Sequence, residues 1–357
     1  MKKFNYLMMA AAMTLGLASC SQETKPGTPV EDNANVEGNL IIKEINVGGG
    51  YKKDAGGNYN NVKAVVLYNN SSKAVTYSNL AIANVAPGNA HATNANYDEN
   101  GKLYYEDKGW TPAWSQIWYI PSITVQPFSD AVVSINGAID HTTISSEAFS
   151  LANEEYYAMY DPEAGFTNAN FYPTPYEGIP TSHYWKVINL FTSTAWPGSM
   201  MSPCYILFQF PADVEPKTYC NKEGENIYYD GGKPDRIGSN INVMIPNEWI
   251  IDGVEFYRIG YVDDSKKRLS SSIDAGYGLY NSNKQYSAYR NIDEKATVNF
   301  GDNINKLVYN YADGVEGTTD PSGIDAAASA KNGAKIIYQD TNNSTADFHL
   351  RKGWSLK

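Results

Sequence analysis

Three cysteines are the residues of this chain best suited to chemistry, and one of them has an informative setting. Cys20 closes Leu17-Ala18-Ser19-Cys20 behind Lys2, Lys3 and an apolar run over 6–17. A run of about a dozen residues is too short to span a bilayer and suits the hydrophobic part of a cleaved export signal. Residues 1–19 therefore read as a lipoprotein signal peptide, with the Cys20 thiol taking the lipid. Cys204 and Cys220 are then left as an even pair in a compartment that permits oxidation. They are either a disulfide, stabilising by roughly 3 kcal/mol, or two reduced, buried thiols. Neither has a Cys or His neighbour at metal-ligand spacing.

Other reactive side chains are scattered. There is no His-Glu-x-x-His, no Cys-x-x-Cys, no phosphate-cradling loop before a helix and no Gly-x-Ser-x-Gly elbow. Gly48-Gly49-Gly50 follows a strand but precedes no helix, so it reads as a turn. Of His91, His141, His183 and His349, none has a second histidine nearby in sequence, and His141 reads as a loop anchor ahead of a metal ligand. Glu154-Glu155 and Asp263-Asp264 read as solvated charge, because neighbours on a strand face opposite ways and cannot act as a glycosidase pair.

Asp340-x-Asn342-x-Ser344-x-x-Asp347 places oxygens on alternate residues, as calcium loops do. It lacks the Gly and terminal Glu of an EF-hand, and a network of Asx and Ser turns accounts for the same spacing. Calcium is the one cofactor this pattern raises. Trp110, Trp114 and Trp118 fall in one stretch broken by Gly and Pro, and Tyr184, Trp185 and Trp196 in another. Rings on loops stack on sugars or grip a partner; the alternative is that they pack long loops onto the body.

The elements that must position these groups are strands. Residues 20–39 mix Pro, Gly, Asn and acids with almost no apolar residues and read as a flexible, lipid-anchored tether. From residue 40 onward short β-branched and aromatic runs predict strands at 40–47, 62–68, 131–135, 156–160, 205–210, 241–245, 250–257, 307–311 and 335–338. Asn100-Gly101 predicts a type I′ hairpin in a protruding ribbon. The best short helix is 325–331, with Asp325 as cap and Gly333 as stop. An all-β body over 40–357, an Ig-like β-sandwich with long loops, is the expected fold.

Several stretches carry a family resemblance. Ile41-Ile42-Lys43-Glu44-Ile45, Val62-Lys63-Ala64-Val65-Val66-Leu67-Tyr68-Asn69-Asn70-Ser71 and Tyr77-Ser78-Asn79-Leu80 resemble the immunoglobulin-type lamin-tail domain, with Val66 where an acid is usual. Pro246-Asn247-Glu248-Trp249-Ile250-Ile251-Asp252-Gly253-Val254-Glu255-Phe256, Arg268-Leu269-Ser270-Ser271-Ser272-Ile273-Asp274-Ala275-Gly276 and Asp340-Thr341-Asn342-Asn343-Ser344-Thr345-Ala346-Asp347-Phe348 complete the pattern. Together they resemble a family of outer-membrane lipoproteins from Bacteroidota that has no established activity. The resemblance implies a lamin-tail-like part over about 40–160, elaborated by 161–357, and work beside a TonB-dependent transporter.

The formal net charge of −11 becomes −13 when Lys2 and Lys3 leave with the signal, and no basic cluster tracks phosphates. Such a field repels nucleic acid. The expectation is a noncatalytic, lipid-anchored binding or accessory protein of the outer membrane, facing the surface, with a transporter or glycan as partner. A structural or adhesive surface protein is the alternative, and an envelope hydrolase the third reading.

Overall fold

The computed structural model describes residues 40–356 apart from 167, 191–194, 197 and 234–240. The signal, the tether and Cys20 lie outside the described residues. Strands dominate the described residues. They are β1 (Leu40–Val47), β2 (Tyr51–Lys52), β3 (Asn58–Tyr59), β4 (Lys63–Asn69), β5 (Val75–Asn84) and β6 (Trp110–Trp114). Then come β7 (Gln116–Val125), β8 (Asp130–Ser134), β9 (Tyr157–Met159), β10 (Tyr184–Asn189), β11 (Cys204–Gln209) and β12 (Ile227–Tyr229). The last are β13 (Ile241–Pro246), β14 (Ile250–Arg258), β15 (Gly278–Tyr280), β16 (Ser287–Arg290) and β17 (Phe348–Arg351).

Twelve of them form one mixed sheet in the order β15-β14-β11-β5-β7-β10-β9-β8-β4-β1-β16-β17. β12, β13 and β6 form a second small sheet, and β2 pairs with β3. The all-β expectation holds, but the two separate sheets of an Ig-like sandwich do not form. The parallel pairs β8 with β9 and β9 with β10 stitch both halves into a single sheet. That sheet curls until it is nearly closed, so that β14 lies against β1 and β15 against β16 and β17.

Alternation explains the curl. On β1, β4, β8 and β11 the inward residues Ile45, Val65, Leu67, Val133 and Leu207 join one buried core with Trp118 of β7 and Trp185 of β10. Their neighbours Ala64, Val66 and Val132 face outward under Leu151 and Trp354. Because side chains of a strand alternate faces, a strand covered on both faces is buried at every position, as β1 is along its whole length, with Lys43, Glu44 and Asn46 included. The 307–311 and 335–338 runs enter no sheet. Leu307, Ile336 and Tyr338 instead pack as extended chain over β1 and β16. Asn100-Gly101 does turn, with Gly101 at φ 75°, but its arms are a single bridge, Tyr97 to Leu103, folded down so that Leu103 is buried. The short helix Ala326–Lys331 starts as expected, Asp325 accepting from the Ala328 N–H at 2.9 Å.

The two ends of the sheet are held together by buried ions. A bulge at Lys43 shifts the β1–β4 register between Ile42 and Glu44. The Ile42 N–H donates to Asp252 Oδ2 of β14 at 2.7 Å, and the Ile42 carbonyl accepts from Arg290 Nε of β16 at 2.9 Å. Arg290 Nη2 then bonds Asp252 at 2.6 Å, and Nη1 reaches Asp340 at 3.0 Å. A second guanidinium does the same work nearby. Arg268, fully buried, donates through Nε to Glu255 at 2.9 Å, and through Nη1 and Nη2 to the carbonyls of Pro87, Gly88, Ser202 and Phe256. Burial alone would raise Glu255, but Arg268 and Lys267 outweigh it and hold the carboxyl below its usual value.

Removing one member of such a group leaves buried carboxylates without a counter-ion, at a cost of about 3–5 kcal/mol. Arg290→Met is therefore expected to lower unfolding free energy by about that much in urea titrations at pH 7. The deficit should shrink as the pH falls and the orphaned Asp252 and its neighbours take up protons. A loss that stays constant into acid would contradict the electrostatic account.

Candidate functional site

At the end of the sheet where β1 stops and β4 starts, Val47 pairs with Lys63, and Ala64 pairs with Ser134 at the end of β8. By the alternation along β4, Lys63 faces the same way as Val65 and Leu67, toward the core interior, at its open end. A cavity of about 520 Å³ opens there. Its walls include Asn58, Tyr59, Asn60 and Asn61 from β3 and the turn after it, Asn136 past β8, and Asn170, Phe171 and Pro173 from a loop. Lys53 and Lys63 line it, and among the described residues no Asp or Glu does. Mouths of β-barrels are common ligand sites, and this one combines apolar rings with convergent polar groups.

The walls are built with care for backbone fit. Gly48 has φ +74°, and a Cβ there would come within 2.4 Å of the Asn60 carbonyl oxygen, so only glycine lets the turn after β3 close against β1. Gly137 has φ +106°, and its Cβ would meet Pro173 Cγ at 2.8 Å on the far wall. Asn136 donates its amide to the Phe171 carbonyl at 3.3 Å, and Asn61 donates to the Asn170 carbonyl, which ties the loop to the sheet. His141 is fully buried behind Tyr59. Its Nε2 lies 2.9 Å from the Gly137 carbonyl, and its Nδ1 lies 2.6 Å from the Tyr59 hydroxyl. The carbonyl can only accept, so Nε2 carries the proton and Nδ1 accepts from Tyr59. Burial lowers the imidazole below its usual range, against the opposing pull of Gly137 and Asp140, which keeps that single neutral tautomer.

Two groups in the pocket are not used by the fold. Among the described residues, neither the Lys63 amine nor the Asn60 side-chain amide has a hydrogen-bond or ion-pair partner. Burial pushes the Lys63 amine down from 10.5 to about 8. Lys43, by contrast, is paired with Asp130 at 2.5 Å beneath the rings of Tyr68, Tyr289 and Tyr338.

The residues singled out from sequence go elsewhere. Trp118 and Trp185 are fully buried core rings on β7 and β10, not loop aromatics, and Trp196, on the loop between β10 and β11, is buried against Tyr205 at 5.1 Å. Trp110 packs on Tyr105 and Tyr228, Tyr184 on Tyr160, and Trp114 is half-buried on β6. Cys204 and Cys220 are free, buried thiols in one apolar cluster, the second of the two alternatives, and burial pushes both thiols up.

The residues of the calcium pattern turn to partners within the protein, Asp340 and Asp347 both reaching Arg290. Asp340 pairs with Arg290, Ser344 Oγ donates to Asp274 at 2.7 Å, and Asp347 accepts from the Thr341 N–H and hydroxyl. Asn342 supplies a positive φ of 53°, and its carbonyl accepts from the Ala275 N–H at 2.7 Å. The turn network accounts for this segment, and among the described residues no three His, Cys, Asp or Glu gather as a metal set would. Glu154 and Glu155 lie on a turn, not a strand, and line a separate open groove with His183.

The curled twelve-stranded sheet with a pocket at its open end defines an all-β protein of mixed sheet topology. The chain belongs to the family described as "Protein of unknown function (DUF4876)", which matches residues 126–308. The match takes in Asp252, Glu255, Arg268 and Arg290, whereas Lys63 and the 340–348 segment lie outside it. A solved structure, a DUF4876 family protein from Bacteroides thetaiotaomicron VPI-5482, is similar over 87% of this chain and 70% of that one, with a TM-score of 0.59 and 19% identity. That degree of identity speaks for the fold alone. No curated protein matches.

Lys63 gives a stability test. An amine whose folded-state value lies below its unfolded value holds its proton less tightly in the fold. It therefore destabilises wherever both states are protonated, below about pH 8 here, and the penalty fades between pH 8 and 10.5. Allowing for its partial exposure, Lys63→Met should raise stability by roughly 1–3 kcal/mol at pH 7. The gain should vanish as the pH approaches 10.5. Denaturant midpoints of both proteins across pH 6 to pH 10.5 check this, and a destabilised variant at pH 7 would refute it.

Proposed function

We propose that this chain is a noncatalytic, lipid-anchored binding protein of the cell envelope that takes a small polar ligand, of the size of a short oligosaccharide, into the pocket beside Lys63. The observation that carries the reading is the lining of that pocket. It has amides and rings, which bond hydroxyl-rich faces and stack on them, and it lacks the carboxylate pair that sugar hydrolysis needs. The Cys20 setting supports export and anchoring, with Glu23, Glu31 and Asp32 in the tether favouring the outer surface. Delivery of the captured ligand to a TonB-dependent transporter fits such an address. The lamin-tail likeness is supported locally by the β1–β4 pair and the turn after it, where Asn69 Oδ1 accepts from the Ser71 N–H and hydroxyl.

Ala169 is exposed at the pocket rim, so Ala169→Trp fills the entrance without touching the core. In calorimetric titrations against a panel of di- to tetrasaccharides, the unaltered protein should bind at least one, and Ala169→Trp should abolish that binding while its melting temperature stays put. Binding that survives the tryptophan, or a panel without a single binder, would remove the reading. Cys20→Ala should release the folded protein from membranes in cell fractionation, and retention after a high-salt wash would count against the anchor.

A further inference from the structure

The pocket's chemistry points past a generic sugar. Lys63 is a cation held on the interior side of the sheet, where removal from water disfavours its charge, and no counter-ion faces it among the described residues. The acids nearest in sequence to the wall residues are engaged elsewhere: Asp140, next to Ile139, accepts from the Thr142 N–H and hydroxyl at 3.0 and 2.7 Å. Asp54 accepts from Ser146 N–H and hydroxyl at 2.9 and 3.0 Å, and Glu147 accepts from Gln285 at 3.0 Å. The other lysine of the lining, Lys53, is exposed at the rim. In a chain of net charge −11, a cavity with two lysines and no carboxylate is a local reversal of the protein's field.

A fold gains nothing by keeping such an amine for itself, since methionine would fill the same space without the desolvation cost. An anion entering the cavity would change that balance, because a charge pair formed away from bulk water attracts more strongly than one on the surface. The free Asn60 amide beside it can donate two hydrogen bonds and accept through its oxygen, which suits the hydroxyls or ring oxygen next to a charged substituent. Half-buried Phe171 supplies flat apolar area for a sugar face, while Tyr59, fixed by His141, is buried in the wall.

We infer that the ligand of this pocket is an acidic saccharide, whose carboxylate or sulfate group seats on the Lys63 amine while its ring lies along Asn60 and Phe171. This deepens the binding reading above and rests on it, naming the class of sugar that the same site selects.

The test compares three oligosaccharides of equal length and linkage, one neutral, one carrying a uronate and one a sulfate ester, with inorganic sulfate and acetate as free anions. Calorimetric affinities are measured for the purified protein and for Lys63→Met, Lys63→Arg and Ala169→Trp. The uronate or the sulfate ester should bind at least tenfold more tightly than the neutral sugar, with a salt dependence that the neutral sugar lacks. Lys63→Met should erase that difference, and Lys63→Arg should keep most of it. Whichever of the two acidic sugars binds tighter identifies the anion.

Equal affinity for neutral and acidic sugars, both abolished by Ala169→Trp, would overturn the inference and leave the binding reading standing. Selectivity that persists in Lys63→Met would overturn it by placing the anion elsewhere. Inorganic sulfate binding as tightly as the sulfated sugar would overturn the saccharide part. If nothing in the set binds, the binding reading falls and this inference with it. The circular-dichroism melting curve of Lys63→Met, measured alongside, shows that a lost preference is not lost folding.

Discussion

The bulge on β1 is the constraint on which the molecule turns. A ladder interrupted at Lys43 strands one N–H and one carbonyl of Ile42 in the interior, and an unpaired buried backbone group costs about 1–3 kcal/mol. Asp252 and Arg290 answer both at once, and because they stand on β14 and β16 the answer also draws one end of the sheet against the other. Tyr280 of β15 adds a further tie, its hydroxyl accepting from the Val47 N–H at 3.1 Å and donating to the Tyr286 carbonyl. The contact between the two ends of the sheet is thus made at a local defect in one strand. A regular β1 would have paired its own groups and left β14 with no reason to approach.

Closure decides where a pocket can lie. Once the sheet has curled, its interior is filled by Trp118, Trp185, Phe166 and Tyr172 along most of its length, and only the end beside Lys63 remains to be shaped by loops. Those loops are fitted by backbone contact, through Gly48 against Asn60 and Gly137 against Pro173, and by a neutral histidine that fixes one tyrosine. The scaffold is rigid and the rim is amide-rich. This is the division of labour expected when packed strands position loop residues for binding.

Much of the strand pattern was legible because burial on both faces leaves an unbroken apolar signature. β1 spans 40–47 as expected, and β4, β8, β11, β13 and β14 fall within a residue or two of their expected bounds. β7 was hidden by Pro121 and by tryptophans that read as loop rings, although the apolar positions on either side of Pro121 all point to one buried strand. β5 was read only as a short stretch at 77–80, because its ends Val75 and Asn84 are set by partners β7 and β11 far along the chain. The parallel pairing of β8, β9 and β10 has no local signal at all. The pocket went unread for a similar reason, since its walls come from segments more than a hundred residues apart. One sign was present. Lys63 is the sole charge in an otherwise apolar run, at a position whose parity with Val65 and Leu67 aims it inward.

Three buried or half-buried cations separate structure from function in this protein. Arg268 donates to a carboxylate and four carbonyls, and Arg290 to two carboxylates and two carbonyls, so each satisfies the geometry of its planar fork and joins distant segments. Replacing either breaks contacts the fold depends on. Lys63 joins nothing among the described residues, and its depressed amine marks it as a cost to folding. Residues that weaken the resting fold and persist at a cavity are the ones whose interactions are completed by something outside the chain. Fully paired guanidiniums therefore belong to the architecture, and the unpaired amine belongs to whatever enters the pocket.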